Sequence, residues 1–206
     1  MSIVKLNNRG VRSATAFGSI TGLGSMVFIK KLTASSSATI SFVHGTSDVV
    51  LDNTYKEYLF TFNNIHPATD NADFTFNMSV DSGSNYNVTK TTTVATAQHS
   101  EAGSDTDFAY VTADDLAQGT GFQIILGLIG NDADQSASGS LTLFNPSSTT
   151  FVKHFIATGN SYYSGNYSLN DYVEGYGNTT SAVDAIQFKM SSGNIDAGTI
   201  KLYGIT

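Results

Sequence analysis

Alternation of apolar and polar residues is the clearest pattern along the chain. In residues 73–80, Phe74, Phe76, Met78 and Val80 alternate with Thr, Asn and Ser. Strict period-two alternation predicts a β-strand with one face buried and the other facing solvent. The pattern recurs in residues 38–43, 56–63 and 183–190. Less regular apolar segments predict five more strands, at residues 26–32, 122–129, 140–144, 151–157 and 199–205.

Clusters of Gly, Asn, Asp and Ser separate the predicted strands and indicate turns at residues 81–85, 130–134 and 145–148. A further cluster at residues 191–194 lies between the last two strands and predicts a hairpin. Thr112 is suited to cap a single helical turn over residues 112–118. Residues 85–106 contain few apolar positions, so we expect a long excursion there.

Eight or more strands without helical crossovers predict an all-β fold, an antiparallel β-sandwich resembling a jelly roll, over residues 25–206. Residues 1–24 mix glycines with apolar residues and show weak periodicity. A free tail is one interpretation. Because a solvated tail normally carries fewer apolar residues, we favour an extended N-terminal arm that orders against a neighbouring subunit.

Composition and charge restrict the function. Charged residues make up only 13% of the chain, and the absence of Cys excludes disulfides, thiolate metal sites and a Cys nucleophile. Residues 1–47 hold five cations and no acid, whereas the remainder holds five cations and seventeen acids. An acidic body repels nucleic acid. The basic start could dock on an acidic surface, and we assign Lys5, Arg9, Arg12 and Phe17 to the assembly arm.

Signatures of catalysis and membrane insertion are missing from the sequence. The four histidines show no metal-ligand spacing, and no nucleophile elbow or P-loop occurs. No apolar segment has the length of a signal peptide or a membrane span. We therefore expect no enzyme, no cofactor and no membrane partner. Two minor hypotheses stay open: a calcium site at Asp132 and Asp134, where a role as turn formers is the simpler interpretation, and a glycosidase pair at Asp171 and Glu174.

Five of the ten tyrosines fall within fifteen residues: Tyr162, Tyr163, Tyr167, Tyr172 and Tyr176. Tyrosine offers an apolar face with a polar tip, which suits stacking on sugar rings or contact with a partner protein. The alternative is that these side chains line a half-buried strand. We take the cluster as the candidate ligand-binding or partner-binding site.

Several segments resemble a family of proteins encoded by tailed bacteriophages of marine bacteria. They are VKLNNRGVRS at residues 4–13, TASSSATISF at 33–42, YLFTFNNIHP at 58–67, LFNPSS at 143–148 and MSSGNIDAGTIKLYG at 190–204. The resemblance covers nearly the whole chain and implies a virion component. It implies no catalytic residues, and it does not distinguish capsid decoration from tail or receptor-binding roles.

Together these observations predict a non-enzymatic virion structural protein, associated with the capsid or with a tail fibre. It would assemble through its arm and one sandwich face. We expect other virion proteins as partners and a homo-oligomer, with a trimer as the expected symmetric form. The alternative is a carbohydrate-binding module that recognises a surface glycan of the host.

Overall fold

The computed structural model describes residues 25–206, which form thirteen strands and no helix. Every strand pairing in this range is antiparallel. The strands are β1 (Met26–Ser37), β2 (Ile40–Val43), β3 (Glu57–Pro67), β4 (Ala72–Ser79), β5 (Lys90–Ser100), β6 (Thr106–Tyr110), β7 (Ala117–Gly119), β8 (Gln123–Ile129), β9 (Ala137–Phe144), β10 (Lys153–Tyr163), β11 (Tyr167–Gly177), β12 (Ala185–Met190) and β13 (Ile195–Ile205).

The strands are arranged in two layers that meet at the end of β10. The larger layer has the order β1-β13-β3-β9-β10-β11-β5, with β6 and β7 pairing along the outer edge of β5. The smaller layer has the order β8-β4-β12-β2. A single pairing of Tyr163 with Ile129 joins β10 to β8 and connects the layers. The predicted all-β antiparallel sandwich is confirmed, whereas the proposed arm lies outside the described residues.

Phenylalanine side chains from both layers fill the core. Phe60 of β3 packs against Phe42 of β2, with ring centroids 5.4 Å apart. Phe76 of β4 packs against Phe155 of β10 at 4.8 Å. Phe188 of β12 lies at the centre of this cluster and is fully buried. Edge-to-face and offset arrangements of this kind stabilise a core beyond the burial of apolar area.

All nine predicted strands exist, but three local predictions are wrong. Residues 85–106 contain β5, whose Thr-rich and Ala-rich sequence is stabilised by full-length pairing with β11. Residues 112–118 form a turn leading into β7 rather than a helical turn. Residues 191–194 do not close a hairpin, because β12 pairs with β4 and β2 while β13 pairs with β1 and β3.

The alternating strand β4 is buried on both faces, which corrects the prediction of a wet face. Its polar side chains are enclosed by the loops that follow β4 and precede β8. Asn77 Nδ2 donates to the carbonyls of Tyr86 at 2.7 Å and Thr120 at 3.0 Å, and its Oδ1 accepts from Lys90 Nζ at 2.6 Å. A buried amide with these partners is fully hydrogen-bonded and carries no desolvation penalty from unpaired groups.

Candidate functional site

Within residues 25–206, no second layer covers one of the two faces of the larger layer. Along β10, burial alternates strictly from Lys153 to Ser161, so every second side chain points into the core and the others point outward. The same alternation on β11 buries Leu169, Asp171 and Val173 and exposes Tyr172 and Glu174. We call the exposed side of this layer the outer face.

Two adjacent rows of side chains cross the outer face at one end of the strands. The pairing registers place Phe28, Tyr203, Leu59, Thr142, Ile156 and Glu174 in the first row, running from β1 to β11. The second row, nearer the sheet end, contains Met26, Ile205, Glu57, Phe144, His154 and Tyr176. We call these twelve residues the outer stripe. Five strand spacings give it a length of about 24 Å.

The outer stripe is apolar and accessible. Phe28 is 56% exposed, Met26 52% and Ile156 50%. The ring of Phe28 packs against that of Tyr203 at 5.7 Å, which fixes both on the same face. Contiguous exposed apolar surface on a folded protein marks an interaction site more often than scattered single residues do.

A hollow of about 470 Å³ opens at the β11 end of the outer stripe. Its walls are formed by Phe144, Ile156 and Tyr176, with His154 and Glu174 at its margin. The ring of His154 lies 6.0 Å from that of Tyr176. The hollow is large enough for a bulky apolar side chain of a partner and carries one acidic group beside it.

The rest of the outer face is more polar. The next row contains Lys31, Lys201, Thr61, Ser140, Thr158 and Tyr172. At its far edge Phe108 of β6 packs against Tyr172 at 6.4 Å. Within residues 25–206, the outer face therefore divides into an apolar end and a more polar region, and Tyr172 of β11 and Phe108 of β6 are exposed aromatic residues of this polar region.

The five clustered tyrosines lie on β10 and β11, so the strand interpretation is correct for their backbone. Tyr172 and Tyr176 belong to the outer face, whereas Tyr162, Tyr163 and Tyr167 surround the β10–β11 turn. The rings of Tyr163 and Tyr167 are 5.6 Å apart. The structure thus separates the sequence cluster into two groups at different positions along β10 and β11.

Two of the turn tyrosines, Tyr162 and Tyr167, border a second pocket of about 280 Å³, which we call the tip pocket. Tyr167 donates its hydroxyl to Asp105 Oδ2 at 3.1 Å. The Asp105 carboxylate raises the pKa of Tyr167 because it accepts a hydrogen bond from the protonated hydroxyl, and Glu101 raises the pKa of Tyr162 in the same way. Asn160 donates to Ser168 Oγ at 2.8 Å at the pocket wall. The pocket combines aromatic faces with hydrogen-bonding groups.

A carboxylate group lies beneath the outer face, on the core side of β11. Asp171 is 3% exposed and accepts the Gly127 backbone N–H at 2.9 Å. Burial raises its pKa to about 6, assisted by the neighbouring charges of Asp114 and Asp73. Asp73 accepts the next amide, that of Leu128, at 2.9 Å. These two bonds attach β8 to β11 and β4.

Two buried lysines lie on the core side of the larger layer, on the two strands that neighbour β11. Lys153 of β10 and Lys90 of β5 both pair with Gly177. Lys90 Nζ donates to Asn77 Oδ1 and to the Val88 carbonyl, and burial lowers its pKa to about 7. Lys153 Nζ donates to the carbonyls of Phe151 and Thr179, and burial lowers its pKa as well. Both lysines are held by neutral acceptors and face away from the outer stripe.

The acidic residues that the sequence suggested for a glycosidase pair or a calcium site occupy the following positions in the structure. Asp171 is buried while its strand neighbour Glu174 is exposed on the opposite face, so they do not form a facing pair. Among residues 25–206, no three His, Cys, Asp or Glu side chains are grouped to hold a metal ion, and this range includes Asp132 and Asp134. The same range contains no helix long and apolar enough to cross a membrane.

Sequence reasoning singled out Tyr172 and Tyr176 but missed the rest of the outer stripe. Part of the signal was present: Ile156 occupies an outward position of β10, whose alternate residues are buried, and Phe28 is an exposed apolar residue of β1. Only the register across six strands shows that these side chains adjoin. Lys5, Arg9, Arg12 and Phe17 lie outside the described residues. The chain matches no family model, and no curated protein or solved structure is significantly similar to it.

Proposed function

We propose that the protein is a non-enzymatic structural protein of a bacteriophage virion, associated with the capsid surface or with a tail fibre. The proposal is based on the outer stripe, in which two rows of mostly apolar side chains extend for about 24 Å across an exposed sheet face. A β-sandwich with a rigid phenylalanine core is suited to present such a face without changing shape.

The resemblance of the chain to virion proteins of marine tailed phages supports the same assignment. The acidic body also suits it, because seventeen acids against five cations over residues 48–206 disfavour binding to packaged nucleic acid. The protein would be displayed on the particle, with other virion proteins and copies of itself as its partners.

The test is a direct search for the protein in particles. Virions of the phage that carries this gene would be purified by density gradient and analysed by quantitative mass spectrometry. We expect the protein at a copy number that is a fixed fraction of the major capsid or tail protein. Abundant protein in infected cells that is missing from washed particles would contradict the proposal.

The tip pocket favours a second candidate function, recognition of a host glycan. Tyr162 and Tyr167 offer ring faces for sugars, and Glu101, Asp105 and Asn160 offer acceptors and donors for hydroxyl groups.

A glycan array with the full-length protein tests this candidate. We expect binding that is lost in Tyr162→Ala and Tyr167→Ala and retained in Tyr172→Ala, which changes a tyrosine on the outer face. An array without any hit, or equal loss in all three variants, would remove the glycan candidate and leave the structural role intact.

A further inference from the structure

We propose that residues 1–24 of one copy dock on the outer stripe of a second copy, so that the chain assembles with itself through this surface. The inference rests on the proposed structural function and names the surface and the occupant. Three features support it: the chemistry of the stripe, the chemistry of the segment and the position at which the segment joins the fold.

The outer stripe is apolar with two acidic positions. Glu57 stands in the row of Met26 and Phe144, and Glu174 stands beside Ile156 at the margin of the hollow. Both glutamates are exposed. A complementary partner would therefore supply apolar side chains together with cations, and one of its bulky side chains would fill the hollow of about 470 Å³.

Residues 1–24 have that composition. They contain three cations, Lys5, Arg9 and Arg12, and no acid. They also contain eight large apolar residues, of which Phe17 is the only aromatic one: Met1, Ile3, Val4, Leu6, Val11, Phe17, Ile20 and Leu23. A fully extended segment of 24 residues spans up to about 80 Å, more than three times the length of the stripe.

The point of attachment favours a second copy over the same chain. The Thr206 backbone N–H donates to the Ser25 carbonyl at 2.9 Å, which continues the β1–β13 ladder to the sheet end. At Ser25 the chain is thus still directed along the strand axis. The outer stripe runs across the strands at nearly a right angle. Docking on its own stripe would require a reversal and a turn over Met26, whereas continuing outward takes the segment to a neighbour.

A contact in which one copy's segment binds another copy's face is heterologous, and it forms a ring of copies when the rotation between them closes. We expect a ring of three copies, which is a symmetric trimer. The proposed contact places Phe17 in the hollow and the cations near Glu57 and Glu174. Apolar contact would supply most of the affinity, and the charges would select the orientation.

The experiment is the solution mass of the full-length chain by multi-angle light scattering over a dilution series. We expect an oligomer of three copies for the unchanged protein. Ile156→Asp places a charge in the stripe and should give monomers or raise the dissociation constant at least tenfold. Thr158→Asp is the matched control, since Thr158 is the next outward residue on β10 and belongs to the polar row.

Charge exchange tests the occupant. Glu57→Lys with Glu174→Lys should weaken assembly, as should Lys5→Glu, Arg9→Glu and Arg12→Glu together, and the combined variant should recover much of the loss. Circular dichroism checks that each variant remains folded. A monomeric unchanged protein at every concentration overturns the inference, even if the protein is present in virions. Assembly that is lost in Ile156→Asp but unaffected by the arm substitutions overturns the arm as occupant.

Discussion

Replacing Asp171 with Asn should stabilise the protein at neutral and alkaline pH but not in acid. Asp171 is almost completely buried on the core side of β11, and Gly127 donates a backbone hydrogen bond to its carboxylate. Asn is nearly isosteric and keeps an oxygen that accepts this bond. The substitution therefore isolates the cost of the negative charge.

The magnitude follows from the pKa of Asp171. Its pKa rises from 3.8 to about 6, because burial disfavours the charged form. One pKa unit corresponds to about 1.4 kcal/mol, so the shift corresponds to about 3 kcal/mol. Because the folded-state pKa lies above the unfolded value, the folded state binds the proton more tightly. The associated stability is fully present below pH 3.8 and is lost as the pH rises through about 6.

The assay is urea unfolding of both proteins at several pH values from 3.5 to 8, followed by tyrosine fluorescence or circular dichroism. The difference in unfolding free energy between Asp171→Asn and the unchanged protein should grow by about 3 kcal/mol in favour of Asn, mostly between pH 4 and 6. Other titrating groups are common to both proteins and cancel. A flat difference between Asp171→Asn and the unchanged protein over this pH range would refute the reasoning.

Three further predictions concern the core and the closest strand contact. Burial lowers the pKa of Lys90 from 10.5 to about 7, so the destabilisation caused by burying its charge is present below pH 7 and disappears by pH 10.5. The unfolding free energy of the unchanged protein should therefore rise by up to about 5 kcal/mol over this pH range, and Lys90→Met should not show this rise. Phe188→Ala removes the central ring of the core and should cost about 3–5 kcal/mol in urea unfolding, whereas a loss below 1 kcal/mol would contradict the packing described. Gly159 of β10 faces Gly139 of β9, and a Cβ added to Gly159 would lie 2.4 Å from Leu126 and 2.7 Å from the Ser138 carbonyl. Gly159→Ala should therefore lower the melting temperature by several degrees. Gly103→Ala, in a turn with open space around it, should lower the melting temperature less.

The sequence predicts the strands that contribute apolar side chains to the core. In β3 and β12 every second residue is a large apolar one, and burial of that face is the reason for the alternation. The turn clusters between such strands were equally legible. The all-β class could therefore be predicted from local pattern alone.

The missed strands lack that pattern. β5 carries only one large apolar residue, Val94, and is held by backbone pairing with β11 and β6. β11 carries tyrosine, asparagine and glutamate outward and a buried aspartate inward. Their pairing depends on strands that are far away along the chain, and the alternation of apolar and polar residues within one strand does not show which strand it pairs with.

The outer stripe was hidden for a related reason. Phe28, Leu59 and Ile156 lie in three strands that are far apart in the sequence, and an outward apolar residue in a strand is ordinary on a protein surface. They form a surface only through the registers of β1, β13, β3, β9 and β10. A shift of one residue in any of these registers would move one of them to the core face.

Disulfide trapping between two copies tests the account most directly, because the chain contains no Cys of its own. One copy would carry Ala16→Cys, beside Phe17, and a co-expressed second copy would carry Thr93→Cys, at the margin of the hollow. We expect a mixed disulfide-linked dimer under mild oxidation. The yield of this dimer should be much lower when the second copy carries Thr158→Cys instead of Thr93→Cys. Equal trapping at Thr93 and Thr158, or no mixed dimer at all, would contradict the claim that the outer stripe receives the N-terminal segment of a neighbour.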